Sequence, residues 1–439
     1  MRVQNPMRTT IAALLLAALA TAAAQAQSAA PAESTVDAKT SLKFVVIVTR
    51  HGVRSPTGKI DQLNKYSRQS WPQWSVPAGY LTPHGAQLMT LFGKYDRELL
   101  ASQGLLAPAG CADATHIRII ADSDQRTRET GRALAAGLAP GCTIDVTALP
   151  EGTEDPLFHP LAAGVGDTDK ATAAAAISGR IGGNPQDLTE AYRAQFSALE
   201  EVLLSGSGKS TTEPRSLLST PSSVAPGRGD HAADLNSPLS LASTMTENFL
   251  LEYTEGMDKE NVGWGRIDLD KLRELLQLHV ASEDIAQRTT YIARAQSSNL
   301  LDHLLRSMQQ AANGQPVAGA LSRTDDRLLI LVGHDNNLAN IAGNLNINWL
   351  IDGRRDDTPP GGALVFELWK SNRTGQYAVR TWYTAQTLDQ MRNSTPLTLS
   401  SPPERAPVFL PACGQADGSC TWSGFEEALK AAIDPHFVK

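Results

Sequence analysis

Arg50, His51 and Arg54 sit close together in Arg50-His51-Gly52-Val53-Arg54-Ser55-Pro56. Two guanidiniums that keep their charge at any working pH, beside one imidazole that titrates near neutrality, can converge on a single small anion. Phosphate suits this set, because forked guanidinium donors match its oxygens and a neutral imidazole between them can attack phosphorus. Two further polar sets are built alike. Asp122-Ser123-Asp124-Gln125-Arg126-Thr127-Arg128 adds a third guanidinium, Arg126, whereas Arg128 points elsewhere if a helix starts here. Gly333-His334-Asp335-Asn336-Asn337 adds an imidazole and a carboxyl. A carboxylate attracts no anion, so Asp335 makes chemical sense as the proton donor to a leaving alkoxide.

Each set follows an apolar, β-prone run: Phe44 to Val48, Ile117 to Ala121 and Leu328 to Val332. Runs of this kind read as buried strands, and open α/β sheets bind ligands at the carboxyl ends of their strands. Three runs that end in chemistry therefore predict one sheet edge. Helices are predicted from Pro83 towards Leu100, capped by Thr82, and from the Asp122 set to Leu138. Pro359-Pro360-Gly361-Gly362 breaks into a further strand, Ala363 to Leu368. Ile60 to Tyr80 is irregular, and its Trp71 and Trp74 are expected to pack the loop onto its own domain. From Pro150 to Ser322 the texture changes to long helical patterns at 171–177, 188–204, 239–253 and 269–306. An α/β domain at 41–149 and 324–439 with a mainly helical domain inserted at 150–323 is the expected organisation. Within it, 205–234 is rich in Ser, Thr, Pro and Gly and is expected to be a flexible excursion.

The first motif, Arg50-His51-Gly52-x-Arg54-x-Pro56, resembles the signature of the histidine acid phosphatases, and Ile47 to Thr57 is similar to the bacterial periplasmic phytase and glucose-1-phosphatase branch. The Asp-x-Asp-x-Arg-Thr pattern at Arg126, the pair His334-Asp335, and Pro359 to Gly362 extend the resemblance over about residues 42 to 430. It implies a phosphoglycerate-mutase-like α/β domain with a central mixed sheet. It also implies His51 as nucleophile through a phosphohistidine, Asp335 as proton donor, Arg50, Arg54, Arg126 and His334 as phosphate ligands, and an acidic optimum. Thr57, Lys59, Asp122, Glu247 and Asn336 are expected around the substrate, with Glu247 as a helix-surface residue the equal alternative. Three positions depart from the branch. Gly58 stands where Lys is usual, Gln296 where a basic residue is usual, and Asn336 where Thr or Ser is common. They leave inositol phosphates and sugar phosphates such as glucose 1-phosphate both open as substrates.

The remaining features bound the function class. The 439 residues fit two domains. Arg2 and Arg8 precede the apolar stretch Ile11 to Ala24, which ends in Ala24-Gln25-Ala26. That is the pattern of a cleavable signal peptide over 1–26, too short and alanine-rich for a membrane span, with Met7 an alternative start. A periplasmic or secreted protein is expected. Removing the leader takes two basic charges from a formal net charge of −7, which leaves −9 and argues against nucleic acid as partner. In an exported chain the four cysteines suggest disulfides, and the simplest pairing is Cys111–Cys142 with Cys413–Cys420, although three connectivities remain open. The resemblance favours the same two bridges. Patterns such as His-Glu-x-x-His or Cys-x-x-Cys are lacking, and the scheme calls for no metal and no cofactor. Gly208-Lys209-Ser210 has the tail of a P-loop, but Leu203 stands at its first glycine. His84, His116, His159, His279 and His303 are expected to be structural or on the surface. A monomer acting on a small phosphomonoester is the leading expectation, and a phosphate-binding protein without turnover is the rival of a different class.

Overall fold

Thr40–Arg50 (β1) is buried without interruption from Phe44 to its end, and the fold is assembled on both of its edges. The computed structural model describes residues 39–206, 213–229 and 231–439. The proposed leader and Gly208-Lys209-Ser210 lie outside them. The main sheet continues with β2 (Ile117–Ala121), β3 (Val146–Thr147), β4 (Leu328–Gly333), β5 (Ala363–Ser371), β6 (Tyr377–Ala385), β7 (Glu404–Pro407) and β8 (Cys420–Thr421). Its order is β7-β6-β5-β1-β4-β2-β3, with β8 joined to β6. The strands from β1 to β3 in that order are parallel, and β5, β6 and β7 run antiparallel to their neighbours. This is the mixed sheet expected from the resemblance. Arg50 pairs with Gly333 and Ala121 with Val332, so β1, β4 and β2 release their chains at nearly one level. The ladder runs one step further, with His51 N donating to Gly333 O at 2.9 Å and Asp122 N to Val332 O at 3.0 Å.

Alternation along the strands feeds two cores. Val45, Ile47, Ile119, Ile330 and Val332 face the helices α1 (Pro83–Ser102) and α2 (Gln125–Leu138) through Met89, Phe92, Leu134 and Leu138. Phe44, Val46, Val48, Leu329 and Leu331 turn to the other side, where Leu301, Leu304, Leu338, Ile341 and Phe425 cover them. Thr82 caps α1 by accepting from Gly85 N at 2.8 Å, as its position before Pro83 predicts. A Cβ on Gly85 would collide with the backbone of Val53, so glycine there lets the Arg50 to Pro56 loop lie directly on the first turn of α1.

Between β3 and β4 the chain is mainly helical, including α3 (Pro238–Thr254), α4 (Leu269–Ala286) and α5 (Thr290–Asn313). Phe196, Leu199, Met245, Phe249, Leu275 and Leu276 belong to a third hydrophobic cluster, which Val53, Leu63, Leu88 and Leu388 join from outside this segment. The single pattern at 269–306 is two helices, because Arg288 is drawn out to Ile347 O at 2.7 Å and Asn348 Oδ1 at 2.8 Å; unbroken apolar spacing hid that corner. Part of 205–234 takes regular structure: Ser223–Pro226 pairs with Ala233–Asn236, and Leu217 and Ala232 are buried. Trp71 corrects another expectation. It stacks on Phe249 at 4.8 Å and meets Trp264 edge-on at 5.0 Å, so its ring packs onto the helical segment, while the end of the loop is held to its own domain by Ser55 Oγ donating to Pro77 O at 2.5 Å. A loop's composition shows that it will bury an aromatic ring, not against what.

Cys111–Cys142 and Cys413–Cys420 are both bridged. The first closes 31 residues and stabilises by about 3–4 kcal/mol on the chain-entropy account. No described helix is long and apolar enough to cross a membrane.

Candidate active site

His51 leaves β1 fully enclosed, and its Nδ1 lies 2.8 Å from Gly52 O. A carbonyl only accepts, so Nδ1 carries the hydrogen and Nε2 holds the lone pair. Burial, then Arg126, Arg50 and Arg54, push this imidazole well below the ordinary histidine value, which keeps it neutral. Gly52 N donates to Thr130 Oγ1 of α2 at 3.0 Å and pins the loop. Arg50 is also fully enclosed. It donates to Thr358 O at 2.6 Å and to Glu247 Oε1 at 2.5 Å, and it pairs with Asp335 Oδ2 at 3.0 Å. Arg54 shares the same Glu247 oxygen at 2.9 Å and donates to Ser55 O at 3.1 Å.

At the end of β2, Asp122 Oδ2 accepts from His334 Nε2 at 2.7 Å and from His159 Nε2 at 3.2 Å. Arg126 pairs with Asp124 Oδ2 at 2.5 Å and faces His334 Nδ1 at 3.4 Å. A guanidinium only donates, so His334 Nδ1 is the acceptor and its hydrogen sits on Nε2. Burial together with Arg126 holds His334 below the ordinary value, although Asp122 works against them. The His51 and His334 rings meet edge-on at 5.6 Å. At the end of β4, Asn337 Oδ1 accepts from His334 N at 2.9 Å, and Asn337 Nδ2 donates to Phe158 O at 2.8 Å. This clamp opens the helix α6 (Asp335–Leu345), and Asp335 is its first residue.

The electrostatics are finely divided. Burial alone would raise the Asp335 and Glu247 carboxyls, but Arg50 and Arg54 hold both below the usual range. Glu283 lacks such a partner, and burial raises it to about 7. The three guanidiniums are thus engaged by three carboxylates, Glu247, Asp335 and Asp124. Yet Nε of Arg50, of Arg54 and of Arg126 is buried with no partner among the described residues. An anion that brought stronger acceptors to these donors would displace the carboxylates in part, and would make their ionisation costlier. Asp122, His159 and His334 are also grouped closely enough to hold a metal ion, their ligand atoms within 4.8 Å, but their mutual hydrogen bonds already satisfy both imidazoles.

The expected core residues Arg50, His51, Arg54, Arg126, His334 and Asp335 are brought together. Arg128 turns away towards Glu151, at 3.9 Å. Glu247 lies in the site and not on the helix surface, and Asn336 is half-buried beside Asp335. Thr57 and Lys59 are exposed. Asp122, expected to touch substrate, is instead enclosed behind His334, because both histidines cover its oxygen. Two residues read as structural or surface belong here. His159 donates to Asp122, and His279 lies close enough to act electrostatically on Glu247 and Asp335 while bonding Ser243 Oγ at 2.9 Å. Asn337 and Glu283 were not anticipated either. An Asn three residues after a strand-end His is a legible N-terminal clamp; nothing local marks the other three.

Comparison with known proteins adds the following. The family model described as histidine phosphatase superfamily (branch 2) matches residues 41–384. Phytase AppA of Escherichia coli (strain K12) is 39% identical over 404 residues, covering 90% of this chain and 92% of that protein. Glucose-1-phosphatase of Providencia rettgeri is 27% identical over 399 residues, covering 90% and 92%. Among solved structures, Hafnia alvei phytase in complex with tartrate superposes with a TM-score of 0.83 at 35% identity, covering 92% of this chain and 99% of that one.

Proposed function

The chain belongs to branch 2 of the histidine phosphatase superfamily and is a phosphoric monoester hydrolase; on that premise we propose that it is an exported, monomeric enzyme that removes phosphate from inositol phosphates through a phosphohistidine on His51. One observation carries the mechanism: a neutral imidazole with its Nε2 lone pair available, enclosed by three arginines that each keep a buried Nε–H with no partner among the described residues.

In this scheme Arg50, Arg54, Arg126 and His334 hold the phosphoryl oxygens. His51 Nε2 forms the bond to phosphorus as the ester oxygen leaves, and Asp335 gives that oxygen its proton. Water then attacks the phosphohistidine and returns a proton to Asp335. The arginines ionise Asp335 in the free protein, so its proton arrives with the substrate. A phosphate monoester is a monoanion below a second pKa of about 6, and its phosphoryl oxygens compete with Asp335 for Arg50. As those bonds pass to the phosphoryl group, the proton is better placed on Asp335.

Division into an α/β domain, 41–149 and 324–439, and an inserted domain, 150–323, belongs to the same proposal, supported by a hydrophobic cluster drawn mostly from the insertion and distinct from the two clusters on the faces of the sheet. Export to the periplasm is supported by both disulfides and by the likeness to phytases. Inositol phosphates are favoured because the phytase relative is 39% identical and the glucose-1-phosphatase 27%. The second reading, a sugar-phosphate phosphatase, is favoured by Gly58 and by Gln296. Phosphate release from phytate, glucose 1-phosphate and para-nitrophenyl phosphate, with EDTA present, separates them: a higher kcat/KM on phytate is expected, and a preference for glucose 1-phosphate overturns the first reading.

A further inference from the structure

His159 has no part in the steps above, yet it touches a group that orients one of their residues. It lies on the loop between β3 and the helix Lys170–Ile181, its ring 5.0 Å from that of His334. Both imidazoles donate from Nε2 to one oxygen of Asp122, at 3.2 and 2.7 Å. Asp122 is fully buried, and its other oxygen has no partner among the described residues. A single enclosed anion is thus shared between an outer imidazole, with 29% of its side chain exposed, and an inner one, with 5%. Charge on the outer ring reaches the inner one over a short path that water screens poorly.

His334 Nδ1 accepts from Arg126, so donating to a phosphoryl oxygen from that atom needs a second proton on the ring. Resting on the reading that His334 is a phosphate ligand, we infer that His159 is a positioning residue which, through Asp122, sets the pH up to which His334 carries that second proton. The sign follows from charge. Protonated His159 already neutralises part of Asp122 and repels a second cation, so it lowers the proton affinity of His334. His159 faces Asp122 and Asp124 from the β2 edge, Glu154 and Asp155 from its own loop, and His334 from the β4 edge. The carboxylates outweigh its burial and raise it above the ordinary histidine value. It is therefore charged throughout the acidic range, and it restrains His334 there.

His159→Gln keeps an N–H donor near the position of Nε2 for Asp122 and removes the charge. The test measures inhibition by inorganic phosphate, against para-nitrophenyl phosphate hydrolysis, from pH 4 to 9 in the mature protein. It is joined by an NMR titration of the 15N-labelled His334 ring. The pH at which His334 loses its second proton, and at which phosphate affinity falls, should rise by about one unit in the variant, giving about tenfold tighter phosphate above that point. His159→Asn, which also removes the charge, should repeat the shift. Superimposed phosphate profiles for the wild type and both variants overturn the inference. Should neither variant fold, the wild-type titration decides: His159 and His334 are expected to titrate as a coupled pair in two steps, and independent single steps overturn it. His334→Ala with unchanged phosphate inhibition would instead sink the underlying reading of His334 as a ligand.

Discussion

Glu247 and Glu252 lie on the same helix, α3, both turned from solvent, and their acidities are driven in opposite directions. Glu247 meets Arg50 and Arg54 and stays ionised. Glu252 points into the core of the insertion, where Gly263 N is its bonded partner at 2.9 Å and burial raises it to about 8. Burial is common to both, so the charges delivered by β1 and the loop that follows it make the difference. The sheet edge thus supplies fixed cations from parallel strands, and the insertion supplies a carboxylate that balances them. The same helix is chemistry at one face and ordinary core at another.

The comparison breaks most severely at His51. His51→Ala should lower kcat by roughly 10⁴-fold or more while leaving the circular dichroism spectrum unchanged, because the nucleophile is lost and no ion pair is; normal turnover would end the phosphohistidine scheme. Arg50→Met comes next. kcat/KM should fall by about 10³-fold, and unfolding free energy by about 3 kcal/mol, since Glu247 and Asp335 lose an enclosed partner. Denaturation with urea beside kinetics would show whether both losses occur together. On the insertion's side the effect should reverse in sign for anions. Glu247→Gln removes a competitor for two guanidiniums, so inorganic phosphate should inhibit about tenfold more tightly, about 1.4 kcal/mol. Equal or weaker inhibition would mean that Glu247 orders the arginines more than it competes.

The pH profile sharpens the same contrast. Asp335 is held ionised by Arg50 and Arg54, so the proton for the leaving group comes with the monoanionic ester. kcat/KM should fall about tenfold per unit above about pH 6, and a plateau to pH 8 would contradict this supply. Glu252 should give the smallest effect on catalysis, because its own effect is one of stability alone. Its folded value of about 8 lies above the ordinary 4.5, so the folded state holds the proton more tightly, and stability is lost as pH rises from 4.5 to 8. Glu252→Gln should match the wild type near pH 4 and exceed it by about 4 kcal/mol at pH 8, with unchanged kcat. A melting-temperature series over that range reads it directly.

Much of the site was legible because strand burial and loop chemistry are local. Apolar runs ending at Val48, Ala121 and Val332 mark where a parallel sheet releases its chains, and the polar residues just beyond each run are the ones that converge. The helix limits at Pro83 and Leu138 followed from a cap and from spacing. Where apolar periodicity ran unbroken, as across Gln287 to Thr289, the turn was invisible, because the side chain that bends the path finds its partner some sixty residues away.

Sequence alone determined which residues could bind and attack phosphate, since residue type sets charge, donor geometry and nucleophilicity, and short spacing along the chain keeps them together. Tertiary structure decided the rest. Glu247 faces Arg50 across 197 positions, and His159 meets Asp122 across 37. Whether Trp71 covers its own domain or the insertion, which nitrogen of His51 and His334 carries the hydrogen, and which carboxyls stay ionised all depend on groups that only docking of the insertion against the sheet brings within a few ångströms. Coulomb and hydrogen-bond energies at those distances decide protonation, and chain spacing does not encode them.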